Sequence, residues 1–146
     1  MNITNRIATE QDVESILAIY LNSNLDKKIL NIEAAQSIFK KIAQYPDYKI
    51  YIVEADSKPI GTFALLIMDN LGHLGTPSAV VEDVAVIAEY QGKGIGKKMM
   101  EFAMQIAKEK GCYKLTLSSN LRREAAHAFY ESLGFTKHGY SFLIEF

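Results

Sequence analysis

Three glycines at alternate positions, Gly92, Gly94 and Gly96, carry the clearest chemical promise in this chain. Gln91 introduces them, and Lys93, Ile95 and Lys97 are interleaved with and follow them. An apolar, β-branched run, Val84-Ala85-Val86-Ile87, precedes them, and a helical pattern comes after. Glycine reaches φ > 0 and lets a ligand approach the backbone amides closely. The first amides of a helix have no intrahelical acceptor, and the helix dipole puts partial positive charge there. Strand, glycine turn and helix start together make an anion site, most naturally for phosphate.

Two common phosphate loops do not fit. A nucleotide P-loop needs four residues between its glycines and then Lys with Ser or Thr, which residues 92–98 do not provide. A dinucleotide fingerprint needs Gly-x-Gly-x-x-Gly near the start of a doubly wound fold, whereas the spacing here is Gly-x-Gly-x-Gly after several strands. Other chemistry is sparse. The histidines, His73, His127 and His138, are too scattered to argue a metal site, so none is expected. Cys112 is the single cysteine, so it forms no intrachain disulfide, and without a positioned His it makes a poor nucleophile.

The elements that must position the loop follow from periodicity. Residues 3–7 are β-capable, and Thr9 is an N-cap with Glu10 and Asp12 in the first turn. Val13, Ile16, Leu17, Tyr20 and Leu21 have helical spacing, and Asn22-Ser23-Asn24 breaks it. A second helix covers 32–43, with Ala35, Ile38, Phe39 and Ile42 on one side. Alternation from Tyr48 to Val53, a turn at 55–59 and a return over 60–68 read as a hairpin, with Gly61 marking a bulge or a close backbone approach. Residues 71–77 form a loop, and 79–87 a third long strand running into the glycines. Ile95, Met99, Phe102, Ala103 and Ile106 share a helix face, with Gly111 as C-cap. A strand at 113–117, a polar exit at Ser118-Ser119-Asn120, a helix over 124–133 and a last strand over 135–144 complete a β-α-α-β-β-β-α-β-α-β order. That order is a mixed α/β layer structure.

Size and composition narrow the class. At 146 residues the chain is expected to be one domain, residues 1–146, with a substantial core. With 49% hydrophobic and 23% charged residues it reads as an ordinary globular protein. A net charge of −1 offers no broad electrostatic attraction to nucleic acid or anionic membrane, so neither partner is expected. No apolar run approaches a spanning helix and the N-terminus lacks a signal-peptide core, which makes the cytoplasm the default compartment.

Gln91, Gly94 and Gly96 form Gln-x-x-Gly-x-Gly, which resembles the acetyl-CoA pyrophosphate loop of the GCN5-related N-acetyltransferase (GNAT) family. The resemblance extends to Val81-Glu82-Asp83-Val84-Ala85-Val86 before the loop. After it, Asn120, Ala126, Phe129-Tyr130 and Gly134-Phe135 match the family's Asn…Ala-x-x-Phe-Tyr-x-x-x-Gly-Phe pattern. The specific part covers 81–135; the N-terminal half agrees only in its order of elements. Membership implies an α/β (α+β) fold with a mixed, mostly antiparallel sheet of about six to seven strands and four flanking helices. It also implies acetyl-CoA as cosubstrate, with the pantetheine arm on the main chain of Val84, Ala85 and Val86. The pyrophosphate would lie on amides of Gln91, Gly92, Lys93, Gly94, Ile95, Gly96 and Lys97, with Lys93, Lys97 or Lys98 adding charge or simply being solvated. Asn120 would meet the pantetheine arm, or else serve as a turn residue. Tyr130 would hydrogen-bond or protonate the departing thiolate, the alternative being a packed helix tyrosine.

A general base is expected among Glu82 and Asp83, Glu82 first. Adjacent strand residues point to opposite faces, so at most one should face the site unless a bulge intervenes. Tyr20, Asn24 and Tyr140 are candidates to border the acceptor pocket, and His73 could contact substrate from its loop. The resulting expectation is direct acetyl transfer from acetyl-CoA to the primary amine of a small molecule, by a monomer or homodimer. Alternatives are a glucosamine-6-phosphate-type enzyme, with Arg122 and Arg123 as local phosphate ligands, and a peptide N-terminal acetyltransferase. A non-enzymatic alternative is an acyl-CoA-binding sensor, against which the presence of Tyr130 speaks.

Overall fold

A computed structural model describes residues 1–146, which divide into two compact parts, Met1–Thr116 and Leu117–Phe146. The first part holds β1 (Ile3–Ile7), α1 (Val13–Asn22), α2 (Ile32–Ile42), β2 (Tyr48–Ala55), β3 (Lys58–Met68), β4 (Ser78–Val86), α3 (Ile95–Glu109) and β5 (Leu115–Thr116). The second holds α4 (Glu124–Ser132). The sheet runs in the order β1-β2-β3-β4-β5, antiparallel throughout except for β5, which lies parallel to β4.

Local chemistry explains most boundaries. A 3-10 turn at Glu10–Asp12 precedes α1, where the Thr9 N–H donates to Asp12 Oδ2 at 2.7 Å. Asn31 caps α2 by accepting from the Ala34 amide at 2.8 Å. The β2–β3 turn is tighter than the sequence predicts. Asp56 (φ 48) and Ser57 (φ 69) alone reverse the chain, and Asp56 exchanges hydrogen bonds with the backbone of Asn2. Helix α3 ends in a Schellman arrangement: Cys112 N–H donates to Ala107 O at 2.9 Å and Gly111 N–H to Lys108 O at 3.0 Å. Only glycine holds Gly111's φ of 76° without strain.

The main core lies between the sheet and α3. Tyr51 and Phe63 stack at 5.0 Å between centroids, and Phe102 meets Tyr51 edge-on at 5.6 Å. Ile52, Val53, Phe63, Met99 and Met100 are fully buried. Gly61 fulfils both expectations for it. The β2–β3 register shifts at Val53, leaving Ile60 as an extra residue, and a Cβ on Gly61 would stand 3.0 Å from Ala85 O. A second, smaller cluster of Val13, Leu17 and Ala35 joins α1 to α2 on the opposite side.

The last strand does not form, and the sheet has five strands rather than about six to seven. Residues 135–146 do alternate in part, as Tyr140, Phe142 and Ile144, but an extended chain without a ladder partner gains no strand. These side chains stand exposed. β5 is likewise shorter than 113–117, pairing only Leu115 with Ala79 and Thr116 with Val80.

Candidate functional site

The strand β4 leads to the glycine loop, and its geometry makes the loop usable. Beyond Val80 no strand pairs with the β5 side of β4, so its main chain there is free along Val84 and Ala85, and at Val86 apart from the carbonyl that Gln91 takes. A 3-10 turn at Ala88–Tyr90 follows, and Ala88 N–H is tied to Asn22 Oδ1 of α1 at 2.8 Å. Gln91 Nε2 donates to Val86 O at 2.8 Å, closing the loop on the strand.

Gly92 (φ 73) and Gly94 (φ 78) both take the left-handed conformation. A Cβ at either would meet nothing within 4 Å, so glycine is required by φ, and the space beside it stays open. Gly94 caps α3, while Ile95, Gly96 and Lys97 form its first turn. The first amide to close back is Lys98 N–H, onto Gly94 O at 3.3 Å, leaving those before it to an outside acceptor. Free amides at a positive helix end are able to hold an anionic group.

The lysines are partly engaged. Lys93 Nζ lies 5.1 Å from the Tyr90 ring centroid and Lys97 Nζ pairs with Glu101 at 3.8 Å. Lys58, which sequence reasoning passed over, joins the loop from β3. It pairs with Glu89 at 2.7 Å and sits 5.6 Å over Tyr90. Only the pairing of β3 with β4, which sets Gly61 opposite Val86, brings it there, and no local signal marks it.

The carboxylates are placed by a bulge. Ala64 pairs with Glu82 and Thr62 with Ala85, so Asp83 and Val84 together oppose Phe63. Asp83 has φ 52, a strained value for a non-glycine residue. The expected opposition of Glu82 and Asp83 therefore gives way. Glu82 pairs with Ala64, which pairs with Ile50, and Ile50 and Asp83 line the same cavity between the sheet, α1 and α2. Both carboxylates thus belong to that side of β4.

Asp83 is the one that lines the cavity. Asp83 is still exposed on its solvent side, and partial desolvation against the apolar walls, then the charge of Asp26, raises its carboxyl above the ordinary carboxylate range. Tyr20 and Tyr48 line the same cavity, and burial followed by the negative charge of Asp83 raises both phenols. Asn24 lies past the end of α1 at φ 60, off that lining. Tyr48 and the apolar walls escaped sequence reasoning, although the α2 stripe Ala35, Ile38, Phe39 and Ile42 was visible.

The second part of the chain carries the other candidates. Asn120 Oδ1 accepts from Arg122 N–H at 2.9 Å, a turn role, while its carbonyl receives Arg123 N–H at 3.0 Å and contacts His127 Nε2 at 2.8 Å. Tyr130 packs between Phe129 at 5.2 Å and Phe135 at 5.8 Å, and burial raises its phenol, opposed by Arg123. Gly134 (φ 96) closes α4 through Phe135 N–H to Tyr130 O at 3.1 Å. This turn explains the Phe-Tyr-x-x-x-Gly-Phe spacing: the glycine folds Phe135 back onto Tyr130. Tyr140 is exposed.

The remaining residues stand apart. His73 stacks on Tyr113 at 4.3 Å. Burial, then Asp47, pushes the Cys112 thiol up, away from a reactive thiolate. No group of three or more His, Cys, Asp or Glu converges. No helix is long and apolar enough to cross a membrane.

Comparison with known proteins agrees with this geometry. The model of the acetyltransferase (GNAT) family matches residues 14–135. A glucosamine 6-phosphate N-acetyltransferase of Trypanosoma brucei brucei is 28% identical over 91% of this chain and 88% of its own. A 5-NmdU N-acetyltransferase of Pseudomonas phage PaMx11 is 30% identical over 95% of this chain and 91% of its own. A solved structure from Agrobacterium tumefaciens str. C58 superposes with a TM-score of 0.91 at 30% identity, covering 97% of this chain and 99% of that one.

Proposed function

From the premise that the chain belongs to the acetyltransferase (GNAT) family, we propose that it transfers acetyl from acetyl-CoA to the primary amine of a small molecule. One observation carries this reading: a strand edge left unpaired beyond Val80 runs directly into a loop of left-handed glycines at a helix start. That arrangement offers main-chain partners to pantetheine amides from Val84, Ala85 and Val86. It offers free amides to a pyrophosphate from Gly92 through Lys97, the Gln91 N–H being already donated to Ala88 O at 3.2 Å. Asn120 has its side-chain oxygen engaged, so a contact with pantetheine would use its Nδ2.

The thioester supplies an activated acetyl carbon when bound. The chain's residues hold the amine and move its protons. Asp83 receives a proton from the amine nitrogen as the C–N bond forms and the C–S bond breaks, and its raised pKa makes it a stronger base than a free aspartate. Tyr130, kept protonated by burial, supplies the proton that ends on the sulfur. An amine arriving as ammonium loses two protons per turnover, one retained on the thiol product and one passed to solvent. Positioning and a polarising amide of the splayed strand account for the rest of the rate. Residues 1–146 act as one catalytic domain in this reading, which the family match across both compact parts supports, and the setting is the cytoplasm.

The test is release of free thiol from acetyl-CoA in the presence of a panel of primary amines. Turnover with any of them supports the enzyme; tight acetyl-CoA binding with no turnover across the panel replaces it with a binding module. A second reading, an amino-sugar phosphate acceptor held through Arg122 and Arg123, is favoured by the relative named for glucosamine 6-phosphate.

A further inference from the structure

The cavity between α1, α2 and the sheet speaks to the acceptor itself. Its volume is about 130 Å³, and its walls are aliphatic or aromatic, among them Val13, Leu17, Phe39 and Ile50. A cavity of about 150 Å³ holds one benzene ring, so this one suits a single small ring or a short branched chain. Three polar groups reach it: the Tyr20 and Tyr48 phenols and the Asp83 carboxylate. No Lys or Arg lines it. An adjoining hollow shares Leu17, Tyr20 and Leu30 and adds Asp26 and Lys28, so acids equal or outnumber bases on both sides.

These groups discriminate by charge and by polarity. An ammonium meets Asp83 directly, with Asp26 and Glu82 adding to the negative field, while its carbon body replaces water against the helices. A phosphate or a hydroxyl-rich sugar ring would lose its water among groups that cannot replace those hydrogen bonds. The bulge is what makes the pairing possible, because it turns Asp83 toward the cavity that an unbulged strand would have given to only one of the two acids.

We infer that the acceptor is a small primary amine with an apolar body, an arylalkyl or branched alkyl amine, seated between α1 and α2 with its ammonium at Asp83. This inference rests on the acetyltransferase reading for its chemistry but on the cavity for its binding.

The experiment measures thiol release at saturating acetyl-CoA with 2-phenylethylamine, isoamylamine, spermidine, glucosamine and glucosamine 6-phosphate. The expected kcat/KM for 2-phenylethylamine exceeds that for glucosamine 6-phosphate by about tenfold or more. Ile38, at the cavity and 44% exposed, can be changed without opening the core. Ile38→Lys is expected to raise KM for 2-phenylethylamine about tenfold with kcat nearly unchanged and Tm retained. Preference for glucosamine 6-phosphate or spermidine overturns the inference while leaving acetyl transfer intact. If no amine is turned over, calorimetric titration of 2-phenylethylamine onto the full chain decides separately. Binding weakened by Ile38→Lys supports the amine cavity without the reaction, and absence of binding removes it.

Discussion

At the scale of residues, the bulge at Asp83 sets the order of the two acids. Asp83→Asn removes the group that lines the cavity and is expected to lower kcat/KM by about 10²- to 10⁴-fold, the range for loss of general base catalysis. Glu82→Gln should cost less than Asp83→Asn, since Glu82 shares the face without lining the cavity. The pH profile adds a signature. Because burial raises Asp83, the carboxylate is available only above a pKa higher than a free aspartate's, so activity climbs with pH through that value. Steady-state kinetics from pH 4 to 9 should show this acid limb in the wild type and lose it in Asp83→Asn. Tyr130→Phe tests the other proton. Reduced kcat with acetyl-CoA affinity kept is expected; unchanged kcat would remove the phenol as the acid.

At the scale of elements, glycines hold the site by two different mechanisms. Gly94 sits at φ 78 beside open space, so Gly94→Ala strains the backbone by about 1–2 kcal/mol without a clash. An unfolding free energy from urea titration lowered by that amount, with weaker acetyl-CoA binding by calorimetry, is the expected pair of readings. Gly61→Ala acts through packing instead. Its Cβ would stand 3.0 Å from Ala85 O, and a backbone neighbour cannot swing aside as a side chain can. A loss of about 1–3 kcal/mol is expected, as for overpacking. Its effect on acetyl-CoA affinity should accompany the loss, because the strand it displaces is the one proposed to carry pantetheine.

At the scale of the whole molecule, one ion-pair network ties the start of the chain to the sheet. Arg6 on β1 bonds both oxygens of Asp12, at 2.7 and 2.8 Å, and also Glu54 on β2 at 2.8 Å. The Arg6 guanidinium, ahead of the Thr9 amide, holds the Asp12 carboxyl down to about 2 from an ordinary 3.8. A lowered pKa stabilises the fold fully above the unfolded value. That stability is lost as pH falls from about 4 through about 2. The shift corresponds to about 2 kcal/mol, an upper figure because Arg6 is 40% exposed and screened. Asp12→Asn should therefore lower the urea midpoint at pH 7 and converge with the wild type near pH 2.

The sequence by itself determined the features whose causes are local. Glycine's freedom at φ > 0 marks Gly92, Gly94, Gly111 and Gly134, and the spacing around them names the loop and the helix ends. Helical periodicity likewise places α1, α2 and α3 within a residue or two. Tertiary structure alone decided what depends on distant partners. The extra residue at Asp83 arises from the pairing of β3 with β4, which turns two adjacent acids to one side. The cavity needs α1, α2 and β2 to meet, and Lys58 reaches the loop only because β3 pairs with β4. The last strand shows the same limit from the other direction. Alternation at Tyr140, Phe142 and Ile144 satisfies the period of a strand, but a strand is made by its neighbour's hydrogen bonds, and no local pattern supplies those.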